Sequence, residues 1–227
     1  MHKEGDALLI QQPVYYPFRE VIEDNGRIFV NNQLHYEDGK YTIDFEDFEK
    51  KIVDNNVKVF ILCNPHNPVG RVWTKEELEK MGDICLKHNV VIMDDEIHCD
   101  FTYPGFKFTS FMTLDKKYHN SLVLYTSPSK TFNVAGLQPA NIIIKNQELR
   151  AAYRKANVAA GYSQGSIMGQ VAVKSVYTKG DEWVNELVEY ITGNMNYMRD
   201  FVKENFPKAQ FVDPEGTYLT WVDFSGY

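Results

Sequence analysis

Ser121-Leu122-Val123-Leu124-Tyr125-Thr126-Ser127-Pro128-Ser129-Lys130-Thr131-Phe132-Asn133 is the stretch whose reading decides the fold. Its first five residues form a short apolar run, which reads as a buried strand. A lysine follows just past the strand's end, among small hydroxyl residues and ahead of Gly136. Open α/β sheets bind ligands at the carboxyl ends of their strands. A lysine amine held there and partly desolvated can lose its proton and attack a carbonyl. Taken alone, Lys130 reads better as a surface residue in a turn. The rest of the chain changes that balance.

Working outward, residues 57–63 form a continuous apolar run without alternation. Such a run suits a parallel strand covered on both faces. Residues 90–93 form another, which ends in Asp94-Asp95-Glu96-Ile97-His98. Shorter strands are expected at 6–11, 27–30 and 141–145. A helix is expected at 18–25. A second spans 44–53, with Asp44 as cap and Phe45, Phe48 and Ile52 on one face. Thr74 and Glu77 make a capping box for a third, which runs to about residue 88. Beyond residue 147 helices dominate, at 147–156, 166–178 and 182–205. The last repeats Trp183, Leu187, Tyr190, Ile191, Met195, Met198, Phe201 and Val202 at helical spacing. Its methionines and aromatics read as core or dimer packing. Pro207 stops it, and strands follow at Phe211 and at 218–224.

The alternation predicts an α/β fold, a mostly parallel sheet sandwiched by helices. Residues 1–205 read as one large domain. Residues 206–227 read as the beginning of a small α+β C-terminal domain, with Pro214 and Gly216 at its entry. An edge hairpin of the same domain is the alternative.

The chain has 227 residues and a net charge of −7, without any basic run. That gives no reason to expect nucleic acid or an anionic membrane as partner. No apolar stretch approaches the length that spans a bilayer. Cys63, Cys85 and Cys99 are odd in number and not closely paired, which is reduced, cytoplasmic usage. Cys63 and Cys85 read as small core residues. His2, His35, His66, His88 and His119 show no pair at metal-ligand spacing, so no metal is expected.

Three apolar strands end in polar clusters: Asn67 after 57–63, Asp95 and His98 after 90–93, and Lys130 after 122–125. If those strands are parallel neighbours, an amide, a carboxylate, an imidazole and an amine share one edge. Asn64-Pro65-His66-Asn67-Pro68-Val69-Gly70, Asp95-Glu96-Ile97-His98 and Ser127-Pro128-Ser129-Lys130-Thr131-Phe132 resemble three ordered motifs of the aspartate aminotransferase superfamily of pyridoxal-phosphate enzymes. Ser-Lys-Thr-Phe-Asn at 129–133, with a histidine three residues past the aspartate, is similar to the carbon–sulfur β-lyase branch, the cystathionine β-lyase or cysteine desulfhydrase type.

The resemblance implies pyridoxal 5'-phosphate as cofactor. Lys130 would hold it as a Schiff base and then shuttle protons. Asp95 would pair with the pyridine nitrogen; Asp94 is the rival, with a strand-end or supporting role otherwise. Asn67 would meet the ring hydroxyl oxygen, and His98 would contact the cofactor where aminotransferases carry tyrosine. Ser127, with Ser129 as second candidate, would bind the phosphate. Tyr15, with Tyr16 as rival, would stack on the ring.

Eight residues past the lysine, Gln138 stands where many aminotransferases carry a phosphate-binding arginine. The lyase branch shows the same loss. The chain also resembles only the central portion of such an enzyme, without its N-terminal phosphate turn or its C-terminal substrate arginine. Arg19, Arg71, Arg150, Arg154 and Arg199 are not in the family's context for that arginine. The expected function is cleavage of a sulfur amino acid to pyruvate, ammonia and a thiol or sulfide. The alternatives are an aminotransferase, or a non-catalytic fragment kept as a binding fold. A homodimer is implied for the intact protein, with residues 161–166 placed as a loop toward the partner subunit, or as a plain interhelical turn.

Overall fold

Six apolar runs pair into one sheet, and the polar residues that interrupt them gather at one of its edges. The computed structural model describes residues 3–37, 39–162 and 164–227. In chain order the elements begin β1 (Ala7–Ile10), α1 (Pro17–Asp24), β2 (Ile28–Asn31), β3 (His35–Glu37), β4 (Lys40–Thr42), α2 (Phe45–Asp54) and β5 (Val57–Cys63). They continue α3 (Lys75–Lys87), β6 (Val91–Asp95), β7 (Leu122–Thr126), β8 (Asn141–Ile144), α4 (Gln147–Ala159), α5 (Ile167–Lys179), α6 (Asp181–Asn205), β9 (Gln210–Val212) and β10 (Trp221–Asp223). The main sheet has the order β2-β1-β5-β6-β7-β8. All neighbours are parallel except β7 and β8. The fold is therefore α/β with a mostly parallel sheet, as the alternating pattern predicts.

The helix starts follow their local chemistry. The Asp44 carboxylate accepts from the Glu46 and Asp47 amides and caps α2. Thr74 and Glu77 close a reciprocal capping box on α3. Both helices turn an apolar stripe onto one face of the sheet. There Phe48, Ile52, Leu78 and Met81 meet Phe60 and Leu62 in the main core. Burying such side chains contributes about 1.5–3 kcal/mol each. Cys85 lies in that core, and Cys63 lies on the other face. All three cysteines are unpaired.

The second face is covered unevenly. Ile22 of α1 packs on Leu8, Ile10 and Val59 at one side, and α4 packs along β8 at the other. Between them lies a cavity of about 370 Å³, lined by Val59, Ile61, Met93, Val123, Tyr125 and Tyr153 among others. Its floor is side chains of the central strands, and α1 and α4 flank it.

Periodicity places the apolar residues of α6 in core or dimer packing. Of this helix, Met195 and Val202 are buried within the chain, whereas Trp183 and Tyr190 are exposed. A hairpin of β3 and β4, whose short polar strands carry no apolar signal, departs from the sequence reading. Pro214 and Gly216 lie between β9 and β10 and pack back onto the loops at the sheet's edge, described next.

Candidate active site

The strand ends do converge. In the parallel registers Cys63 lies beside Asp95, and Asp95 beside Tyr125. The loops that follow these strands carry Asn67, His98 and Lys130. The Lys130 ammonium is close enough to act on both the Asp95 carboxylate and the His98 ring.

Side chains lock these loops to one another. The Thr131 hydroxyl donates to Asp100 at 2.6 Å, which joins the lysine loop to the histidine loop. The Trp183 indole donates to the Thr131 carbonyl. His66 Nε2 lies 2.8 Å from the Pro13 carbonyl, tying the Asn67 loop to the aromatic loop of Tyr15. Two glycines allow close approach behind the lysine. A Cβ on Gly180 would lie 2.4 Å from the Phe132 ring, and one on Gly169 would lie 2.9 Å from the Leu137 carbonyl.

Tyr15 is partly exposed, with Phe18 edge-on to its ring at 5.7 Å and Tyr16 tilted against it. Asn67 is half-buried, and its amide donates to the Cys63 sulfur. The Ser127 and Ser129 hydroxyls are buried and bonded to each other. Both turn onto the Pro139 carbonyl at the start of the return strand. Gln138 has a left-handed backbone at φ +53°. Of the 161–166 segment, Ser163 lies outside the described residues, as does His2.

The two aspartates face different surroundings. Asp95 accepts from the Ile97 amide at 3.1 Å. Burial raises its pKa, against the pull of that amide and of Lys130. A half-buried carboxylate of this kind is stabilised in its charged form by a cationic partner. Asp94 is fully buried, and neither of its oxygens meets a hydrogen-bond donor among the described residues. Burial and the charge of Glu96 hold its carboxyl well above the usual range. Glu96 in turn accepts from the Phe111 amide. Those causes keep a proton on Asp94, beside the Glu96 carboxylate.

That proton has a stability consequence. The unfolded Asp94 ionises at the ordinary value, about 3.9, and the folded one only at higher pH. Stability from the pair is therefore complete below the ordinary carboxylate range and is lost as pH climbs through the folded value. Asp94→Asn, which mimics the protonated acid, should flatten that decline. Urea midpoints across a pH series would read it, and an unchanged slope would place the proton elsewhere.

His98 is buried, its Nδ1 has no hydrogen-bond partner among the described residues, and burial together with Lys130 lowers its pKa to about 4. The ring is neutral at physiological pH.

Two features escaped the sequence. Arg71 is buried and reaches the Glu77 carboxylate with two bonds at 2.8 Å, Glu215 at 3.2 Å and the Tyr41 carbonyl. Tyr218 packs edge-on to His98 at 5.3 Å. Apart from Glu77, their partners lie far along the chain, so no local pattern announces them. Among the described residues no cluster of His, Cys, Asp or Glu is placed to hold a metal. None of the helices there is long and apolar enough to cross a membrane.

Known proteins resemble this chain in sequence and in fold. Cystathionine beta-lyase PatB of Bacillus subtilis is 43% identical over 223 residues, covering 98% of this chain and 58% of that protein. Cystalysin of Treponema denticola, solved with a pyridoxal 5'-phosphate cofactor, superposes with a TM-score of 0.95 at 40% identity. It matches 98% of this chain and 56% of its own. The PLP-bound C-S lyase of Staphylococcus hominis gives a TM-score of 0.91 at 36% identity, over 99% of this chain and 56% of its own. The chain thus spans a little over half the length of these relatives. The family model for aminotransferase class I and II matches residues 1–227, and on that end-to-end match the chain belongs to the aminotransferase class I and II family.

Proposed function

We propose that this chain is the central, cofactor-holding part of a pyridoxal-phosphate-dependent carbon–sulfur β-lyase. The observation that carries the reading is the meeting of Asp95, His98 and Lys130 at the carboxyl ends of adjacent parallel strands. The donor set suits the cofactor. A half-buried carboxylate with one amide donor fits a ring nitrogen that carries a proton. A buried imidazole with an unpartnered nitrogen fits a polar atom of the ring. When bound, pyridoxal phosphate supplies a ring that takes up electrons from the substrate's Cα.

The chain's own residues supply the rest. Lys130 Nζ would hold the cofactor and, once the substrate amine has displaced it, would take the proton from Cα. Asp95 would keep the ring nitrogen protonated. His98, Asn67 and Tyr15 would hold the ring, and Ser127 and Ser129 would take the phosphate. With the Cα proton removed, the Cβ–S bond breaks and the sulfur leaves as a thiol. Hydrolysis of the remaining fragment yields pyruvate and ammonia. Gln138, a neutral amide, favours the lyase over an aminotransferase, as do the names of the Bacillus subtilis and Staphylococcus hominis relatives.

Product analysis tests the reaction. Pyruvate and a thiol should appear from cystathionine or cysteine without any keto acid. Strict dependence on a keto acid would make the protein an aminotransferase. Asp95→Asn is expected to lower turnover about 10²-fold or more while leaving the denaturation midpoint nearly unchanged. Equal turnover would remove Asp95 from the ring nitrogen. We read residues 206–227 as the opening of the small domain and the intact protein as a cytoplasmic homodimer. Exposed Ile167, Met168 and Val171 on α5 support a subunit contact, and sedimentation would show it.

A further inference from the structure

We propose that Tyr218 is a positioning residue for the His98 imidazole, and that the segment 214–218 sets the orientation of that ring beside Lys130. The inference rests on the reading of His98 as a cofactor contact. It begins with how His98 is held. Its ring is buried, yet Nδ1 makes no hydrogen bond among the described residues. The aromatic rings against it are Tyr218, edge-on at 5.3 Å, and Phe101, tilted at 6.3 Å. Tyr218 and Phe101 are themselves edge-on at 5.1 Å. Packing of this kind fixes a ring's plane while leaving its nitrogens free for a ligand.

The backbone that delivers Tyr218 is held at every step. Glu215 takes Arg71, Lys40 and the Val72 amide. Gly216 approaches so closely that a Cβ there would lie 2.6 Å from the Phe101 carbonyl. Thr217 adopts φ +67°. That region is a real outlier for a β-branched residue. The surroundings hold it there. The Thr217 amide donates to the Phe101 carbonyl, its own carbonyl accepts from the Tyr103 hydroxyl, and its side chain is fully buried. The strained turn aims the next side chain, Tyr218, onto the ring of His98. Residues well over 100 positions apart are thereby joined at the site.

The test uses side-chain NMR of histidine-labelled protein without cofactor, where catalysis plays no part. In Tyr218→Phe the His98 ring signals should stay in place, because the edge contact needs no hydroxyl. In Tyr218→Ala they should move toward those of an exposed histidine. The His98 titration midpoint should also rise from about 4 toward the ordinary value of about 6.5. Pyridoxal phosphate should bind about tenfold more weakly to the alanine variant and equally well to the phenylalanine one. If Tyr218→Ala does not fold, Tyr218→Leu is read in its place, with the same displacement expected. Unmoved His98 signals in the folded Ala or Leu variant overturn the proposal, as does a Phe variant as disturbed as the Ala one. Adding the cofactor to the wild type separates the two readings. If His98 signals ignore it, His98 is not a cofactor contact, whatever Tyr218 does to the ring.

Discussion

Lys130→Ala in the intact protein should abolish the cofactor's visible imine band and lower turnover by at least ~10³-fold. Two functions are lost at once, the covalent hold on the cofactor and the base at Cα. Neither has a substitute nearby. Neither Asp95 nor His98 carries an amine that could form the imine, and burial lowers the pKa of His98, which makes it a weak base toward Cα. The fold should survive, because Lys130 is only partly buried and the loop around it is fixed by Thr131, Ser127 and Ser129. Absorbance, steady-state rates and a thermal scan together make the check. A surviving imine band with normal turnover would move the chemistry to another lysine.

Arg71→Met should cost about 3–5 kcal/mol of stability, the range for removing one partner of a buried ion pair. Arg71 holds Glu77 with two bonds and Glu215 with a third, and its guanidinium lies 4.7 Å over the Trp73 ring. Methionine fills much of the volume but leaves Glu215 only the half-exposed Lys40 and the Val72 amide. Arg71→Lys should recover little, because an ammonium cannot make the forked contact. The denaturation midpoint measures the loss. Hydrogen exchange should locate it at β3, β4 and residues 213–217. A loss confined to α3 would mean that Glu77 alone matters.

How much of this could be read from the chain alone depended on the range of the signal. Runs such as 57–63, apolar except at Lys58, have both faces covered, so they stand out locally. Asp44 and Thr74 announce their helices within three residues. Asn67, Asp95 and Lys130 could be brought together because each follows a strand and parallel strands share an edge. The links that hold the edge were illegible. His66 reaches Pro13, and Arg71 reaches Glu215 across 144 positions, and such partners leave no periodic trace. Arg71 had therefore looked like an arginine without a context. The long helix illustrates the opposite limit. Periodicity shows which face of α6 is apolar, but not whether anything covers Trp183 or Tyr190.

The antiparallel return of β8 carries a consequence for how this part of the chain can vary in length. Thr126 pairs with Asn141 in register and in a side-chain bond, and the Pro139 carbonyl takes both serine hydroxyls. The loop from 127 to 140 is thus closed at both ends. A slip of one residue in β8 would turn every one of its side chains to the opposite face and carry Pro139 away from the serines. Insertions beside Ser127, Ser129 or Pro139 would break that closure. At Gly105, by contrast, nothing lies within 4 Å of an added Cβ, and exposed loop tips of this kind tolerate added residues. A reporter peptide grafted at 105 would lengthen the chain and leave the lysine loop untouched.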